Sequence, residues 1–161
     1  MGLDYRVHCC PDGLMTDRRH NVQVLDCTIR DGGCCNDWRF GDDIVRATFE
    51  ALTAAGVDIM EIGYQTTEGV YDRTQVGPWR YCDEDALRRV AHDSGIKLAC
   101  MLDMHRFRAK DLRPAEDSLV SVLRCATYGR DIEAAVDLLH AAQDQGYETF
   151  CNVMAVSTCS P

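Results

Sequence analysis

The sequence predicts an α/β domain built on a parallel sheet, and three observations carry that reading. Strand-like apolar runs alternate with amphipathic helical stretches, the three helical stretches each stop at a glycine, and the strand-like runs are continuously apolar. Parallel neighbours need crossover connections, which are right-handed. At 161 residues the chain has the length of one domain, and an apolar fraction of 46% is enough for a real core.

The elements follow in order. Residues 1–21 form a polar leader. Val22 to Cys27 reads as a strand, with Val22, Val24 and Leu25 supplying the β character. Asp42 to Ala55 reads as a helix with Ile44, Ala47, Ala51, Leu52 and Ala55 on one face, ended by Gly56. Val57 to Gly63 is a buried strand. Asp83 caps a helix that runs to Ser94 with Leu87, Val90 and Ala91 inward, and Gly95 closes it. Ile96 to Leu102 is the third strand. The stretch holding His105, Lys110 and Pro114 has no helical period, so the third crossover lacks a full helix. Ser118 to Cys125 is the fourth strand. Asp131 to Gln145 is a helix with Ile132, Ala135, Val136 and Leu139 apolar, Gly146 ends it, and Tyr147 to Ala155 is the fifth strand. Five parallel strands fit a doubly wound sheet or part of a barrel, and periodicity does not separate the two.

Composition excludes several function classes. A net charge of −9 argues against nucleic acid or an anionic membrane surface as the main partner. Met1 to His20 carries charges throughout, unlike a signal peptide, and no apolar run approaches membrane-spanning length, so a cytoplasmic protein is expected. There is no G-x-G-x-x-G and no G-x-x-x-x-G-K, which leaves dinucleotide and nucleoside triphosphate binding without support. Among the ten cysteines, Cys27, Cys100, Cys125 and Cys151 lie in apolar runs and read as packing residues. Cys9-Cys10 and Cys34-Cys35 are adjacent pairs, yet the absence of any C-x-x-C argues against structural zinc.

The run Leu25-Asp26-Cys27-Thr28-Ile29-Arg30-Asp31-Gly32-Gly33 is the most informative segment. It ends an apolar stretch with a fixed cation, a fixed anion and two glycines that let the backbone turn tightly or approach a ligand. In a parallel α/β fold the C-terminal ends of the strands carry the chemistry. An Asp there can ligate a divalent metal, and a neighbouring Arg can hold a carboxylate or a developing enolate oxygen. An ion pair capping a loop is the alternative.

This block, followed by Asn36, Asp37, Trp38 and Phe40, resembles the N-terminal signature of the DRE-TIM metallolyases. Further matches come in order: Glu61-Ile62-Gly63-Tyr64, Met101-Leu102-Asp103, Leu123-Arg124-Cys125-Ala126-Thr127, and Asn152-Val153-Met154-Ala155-Val156-Ser157. The likeness is greatest to the 4-hydroxy-2-oxovalerate aldolase branch and covers roughly residues 22–161. It implies the N-terminal five-strand portion of a (β/α)8 TIM barrel, with a divalent Mg²⁺, Mn²⁺ or Zn²⁺ at the strand C-termini. By that resemblance Asp31 is a metal ligand and Arg30 stabilises the enolate of a small 2-oxo acid or acyl substrate. Retro-aldol or Claisen-type chemistry follows.

The resemblance has two departures. Cys34 stands where the aldolases place a catalytic His three residues after the metal-binding Asp, and a thiol with a pKa near ~8.5 is the poorer base at neutral pH. The family's late His-x-His metal ligands have no counterpart before Pro161. The expectation is therefore weak or absent metal binding by this chain, and a five-strand portion whose open sheet edges favour self-association.

Other candidates are positional. Glu61 ends the second strand and can orient a metal-bound water or Arg30, or be an ordinary ion-paired carboxylate. Arg124 points to the same mouth in a barrel and is a candidate substrate-binding residue, or a salt-bridge partner. Ser157 matches a position lining the family's substrate pocket. His105 follows the third strand and can contact substrate. Trp38 and Phe40 pack the first loop against the first helix, and Trp79 with Pro78 anchors a loop. The expected function is a metal-dependent aldolase or lyase, incomplete in this chain. A catalytically inactive half-barrel serving as an interaction module is the rival, and a metal module built on Cys9, Cys10, Cys34 and Cys35 a distant third.

Overall fold

The computed structural model describes residues 22–92 and 94–158. The polar leader, with Cys9 and Cys10, lies outside the described residues. Five parallel strands form one sheet: β1 (Leu25–Asp26), β2 (Ile59–Gln65), β3 (Lys97–Asp103), β4 (Val120–Tyr128) and β5 (Glu148–Met154). Their spatial order is β1-β2-β3-β4-β5. That order separates the two architectures. A doubly wound sheet reverses direction at a switch point, whereas here each strand adds beyond its predecessor, so right-handed crossovers put the helices on one face and the sheet curls around the other. The result is an α/β half-barrel.

Strands buried on both faces explain the continuously apolar runs. On the convex side Met60, Leu98, Cys100 and Leu123 join the main core under the helices, while Ile59, Ala99 and Val122, with Leu25 against them, fill the concave side. Two residues further along three of these strands, on the same face by the period of 2, stand Cys27, Glu61 and Arg124. One layer of the concave face is thus hydrocarbon and the next is charged.

The helices are α1 (Thr28–Gly32), α2 (Asp42–Ala54), α3 (Glu84–Val90) and α4 (Ile132–Asp144). Gly56, Gly95 and Gly146 follow α2, α3 and α4 at φ +72°, +81° and +92°, the left-handed conformation that glycine adopts without strain. The crossover from β3 to β4 holds only 3₁₀ turns at Ala109–Asp111 and Ala115–Asp117, as its missing period predicts.

Several local expectations are corrected. The inward face of α2 is Val45, Phe49 and half-buried Leu52, while Ile44 is 51% exposed and Ala47, Ala51 and Ala55 face outward. Two overlapping apolar stripes run along this helix, and the one carrying the Phe49 ring buries more surface. α4 likewise turns Ala135, Leu138, Leu139 and Ala142 inward and leaves Ile132 and Val136 exposed. α3 stops at Val90 rather than Ser94, because Ala91 is extended. Asp83 occupies the N-cap position, but its carboxylate accepts from Arg73 at 2.5 Å instead of capping. Strand β1 is shorter than expected: Val22 and Val24 are exposed, and the Asp26 carboxylate accepts from Thr28 N and Oγ1 at 2.9 and 2.8 Å, starting a helical turn. Cys151 is exposed on β5 rather than packed. Among the described residues, no helix is long and apolar enough to cross a membrane.

Candidate active site

The charged layer of the concave face centres on Glu61, which is fully buried. Its Oε2 accepts from Arg30 Nε at 2.6 Å, from Arg124 Nη1 at 2.9 Å and from Cys27 Sγ at 3.4 Å. Arg124 Nη2 also donates to Asn152 Oδ1 at 3.3 Å, so β2, β4 and β5, with α1 and its N-cap Cys27, all contribute to one cluster. Glu61 Oε1 is buried without a hydrogen-bond partner among the described residues. Such an orphan carboxylate oxygen is an acceptor waiting for a donor.

The electrostatics follow from burial and pairing. Burial pulls the Arg30 pKa down, but the hydrogen bond and charge of Glu61 more than offset it and hold the guanidinium above its ordinary value. Burial first, then the Glu61 charge, pushes the Cys27 thiol up. Cys27 therefore stays a neutral donor at physiological pH.

The Arg30 segment is a helical turn, where an active-site loop was expected. Gly32 and Gly33 have φ −58°, so neither is needed for an unusual conformation. Gly33 is needed for space: a Cβ there would lie 2.0 Å from Trp38 Cδ1. The close approach is to the chain's own indole, not to a ligand. Trp38 Nε1 donates to the Arg30 carbonyl at 3.0 Å, and its ring meets Tyr64 edge-on at 5.3 Å. Asp37 and Trp38 both sit at positive φ, 55° and 58°, which costs a non-glycine residue roughly 1–2 kcal/mol. The loop after β2 supports that strain, with Gly77 N donating to Asp37 O at 2.7 Å and Trp79 Nε1 to Phe40 O at 3.0 Å.

Behind these rings lies Arg80, buried and paired with no carboxylate among the described residues. Its guanidinium carbon lies 3.9 Å from the Tyr64 ring centre, 4.5 Å from that of Trp38 and 4.7 Å from that of Tyr71. Nη2 donates to Tyr71 Oη at 2.7 Å, and Nε has no partner. Ring quadrupoles thus take the place of a counter-ion.

The structure brings Arg30, Glu61 and Arg124 into direct contact. Asp31 lies outside the cluster, 60% exposed, and pairs with Arg30 Nη1. Cys34 is exposed on the 3₁₀ turn Gly33–Cys35, and Ser157 is exposed on the turn Val156–Thr158 beyond β5. Sequence reasoning gave Cys27 a packing role and Asn152 and Tyr64 none. Their signal was phase: Cys27 lies two residues beyond Leu25 on a strand face that leads to the mouth. Nothing in the sequence marks Arg80, which arrives from a loop. Trp79 is the buried anchor expected, whereas Trp38 holds the Arg30 carbonyl.

For a divalent metal, the donors present do not suffice. Asp31 offers one free carboxylate oxygen, Glu61 Oε2 is taken by two guanidinium groups, and no three His, Cys, Asp or Glu side chains come together among the described residues.

No family model matches the chain. It is 29% identical over 145 residues to 4-hydroxy-2-oxovalerate aldolase 6 of Rhodococcus jostii, covering 89% of this chain and 40% of that protein. It is 31% identical over 138 residues to oxaloacetate decarboxylase of Mycobacterium tuberculosis, covering 84% and 40%. A solved structure, described as the N-terminal domain of a "putative aldolase" from Bacteroides vulgatus, superposes with a TM-score of 0.74 at 31% identity, over 84% of this chain and 46% of that one. These relatives carry aldolase and decarboxylase names of the DRE-TIM family, and the chain is similar to them along most of its own length. It spans about 40% of the length of these curated DRE-TIM relatives, and the matched part carries the five-strand half-barrel.

Proposed function

We propose that the concave-face cluster binds the 2-oxo acid end of a small substrate and stabilises an enolate for carbon-carbon bond cleavage or formation. The observation that carries this reading is the convergence of Arg30 and Arg124 on one buried oxygen of Glu61 on the concave face of the sheet. Within the buried layer two guanidinium groups share the one carboxylate of Glu61, with Asp31 pairing Arg30 from the exposed rim. A planar carboxylate or enolate is the ligand that such donors match. In this reading Arg124 takes the substrate carboxylate, Arg30 faces the developing enolate oxygen, and Glu61 fixes both guanidinium planes. Its orphan Oε1 is free to accept from a substrate hydroxyl or a water.

The aldolase and decarboxylase names of the relatives support the reaction class, since both describe the breaking of a carbon-carbon bond. A divalent Mg²⁺, Mn²⁺ or Zn²⁺ enters this reading only with ligands beyond Asp31. Ser157 remains a proposed pocket residue and Cys34 a proposed base by position alone. The test is binding of oxalate, a planar mimic of a pyruvate enolate, followed calorimetrically, together with turnover of oxaloacetate and of 4-hydroxy-2-oxo acids with Mn²⁺ supplied. Arg30→Gln and Arg124→Gln should each weaken oxalate by about 10-fold or more, the loss of a charge-assisted bond. An unaltered chain that shows no oxalate binding and no turnover would sink the reading.

A further inference from the structure

A cavity of about 270 Å³ opens at the C-terminal ends of the strands, lined by Tyr64, Asp103, His105, Thr127, Tyr128 and Met154 among others. Ala126, which also lines it, lies two residues beyond Arg124 on the same face of β4, a rise of about 7 Å. The cavity therefore stands one layer above the Arg30–Glu61–Arg124 cluster, along the line that a short substrate anchored below must follow.

His105 is the one imidazole at this end of the sheet among the described residues. His92 packs on Phe49 with ring centres 5.2 Å apart, and His140 lies on α4. His105 Nε2 is 3.6 Å from Asp131 Oδ2, a buried oxygen with no hydrogen-bond partner at the start of α4. No hydrogen bond joins them at that distance, so the carboxylate acts on the ring through its charge, favouring an imidazolium formed there, and Nδ1 is left to exchange protons. The other charges around the ring are Asp103, whose Oδ1 accepts from His105 N at 3.2 Å, Arg106 on Asp103 at 2.7 Å, and Arg130 at 3.3 Å from Asp131.

We propose that His105, beside the charge of Asp131, is the general base for the hydroxyl of a 4-hydroxy-2-oxo acid. The proposal rests on the reading of the cluster below as a 2-oxo acid site. In the cleavage direction Nδ1 takes the proton of the C4 hydroxyl. The O–H electron pair becomes the aldehyde C=O, the C3–C4 bond breaks, and its electrons form the enolate held by Arg30. The imidazolium then loses its proton to solvent, and the enolate takes one up at C3. No oxidant or reductant is involved. Decarboxylation of oxaloacetate reaches the same enolate without removing a hydroxyl proton, so it does not call on His105.

The experiment compares the two reactions in the full chain with Mn²⁺ supplied. His105→Asn, at a side chain 63% exposed, should lower retro-aldol cleavage by about 100-fold and lower the ratio of cleavage to decarboxylation by at least ~30-fold. Asp131→Asn should lower the same ratio less. Proportional loss of both reactions in His105→Asn would overturn the proposal, as would cleavage that stands there and falls in Cys34→Ser. An unaltered chain that performs neither reaction removes the 2-oxo acid reading itself, a result distinct from a failure of His105 alone.

Discussion

Arg124 Nη1 on β4 reaches over β3 to lie 2.9 Å from Glu61 Oε2 on β2, the same oxygen that Arg30 Nε holds at 2.6 Å. The pairing ties the curl of the sheet to the polar layer of the site. Glu61→Ala removes the buried anion shared by two half-buried cations, leaving Arg30 only the exposed Asp31, and should cost about 3 kcal/mol. Glu61→Gln, which keeps an acceptor oxygen, should cost less. Urea unfolding of both variants measures the difference, and equal loss would assign the whole effect to the charge that both variants remove.

Gly33→Ala should destabilise the chain by about 2 kcal/mol or more, because the added methyl falls 2.0 Å from Trp38 Cδ1 and the indole must leave. With it goes the bond to the Arg30 carbonyl. Gly56→Ala is the contrast: the methyl meets open space, and the cost is the roughly 1 kcal/mol of a left-handed φ. Tryptophan fluorescence should shift toward the red for the first variant and stay unchanged for the second.

Arg80→Ala removes a buried guanidinium from among three rings and should cost about 3 kcal/mol, cavity and cation–π losses together. Arg80→Lys keeps the charge but not the stacking plane, and should recover only part of that. Chemical denaturation of the pair reports it, and full recovery by lysine would show that charge alone matters.

Burial, followed by the neighbouring Cys151 and Asp103, pushes the Cys125 thiol up to about 11 from its ordinary 9.0. Folding therefore favours the protonated thiol. The stability this represents is fully present below pH 9, the value for the unfolded chain, and is lost as pH rises through 11. Cys100, raised well above its ordinary value by burial and then by Cys82, acts in the same direction. Melting temperature should hold steady up to pH 9 and fall beyond it, and Cys125→Ala should make that fall shallower. An identical decline in the variant would place the alkaline titration elsewhere.

Much of the fold was legible because burial leaves a periodic trace. The alternation of strand and helix, the glycine stops after α2 and α4 and the crossover without a helix are all consequences of local spacing, and they hold in the structure. The inward face of α2 was not legible, since Ile44 and Val45 head two stripes of similar hydrophobicity, and only contact with the sheet and His92 selects the one with Phe49. The Asp83 cap failed for a related reason: Arg73, ten residues earlier, claims the carboxylate.

By itself the sequence determined the five strands and the likeness to aldolases, because strand position and motif are local properties of the chain. Glu61 and Arg124 were expected at strand ends, but β2 runs on to Gln65 and β4 to Tyr128, which puts both inside their strands. Only the tertiary structure decided which charges meet. Glu61 and Arg124 are 63 residues apart, and nothing in their spacing says that a curled sheet will bring both guanidinium groups to one oxygen. The same curl leaves Asp31 outside at the rim. Arg80 reaches its three aromatic rings, and His105 reaches Asp131, through loops whose paths depend on the packed helices. Contacts of that range are set by the closing of the core, and a linear pattern carries no record of them.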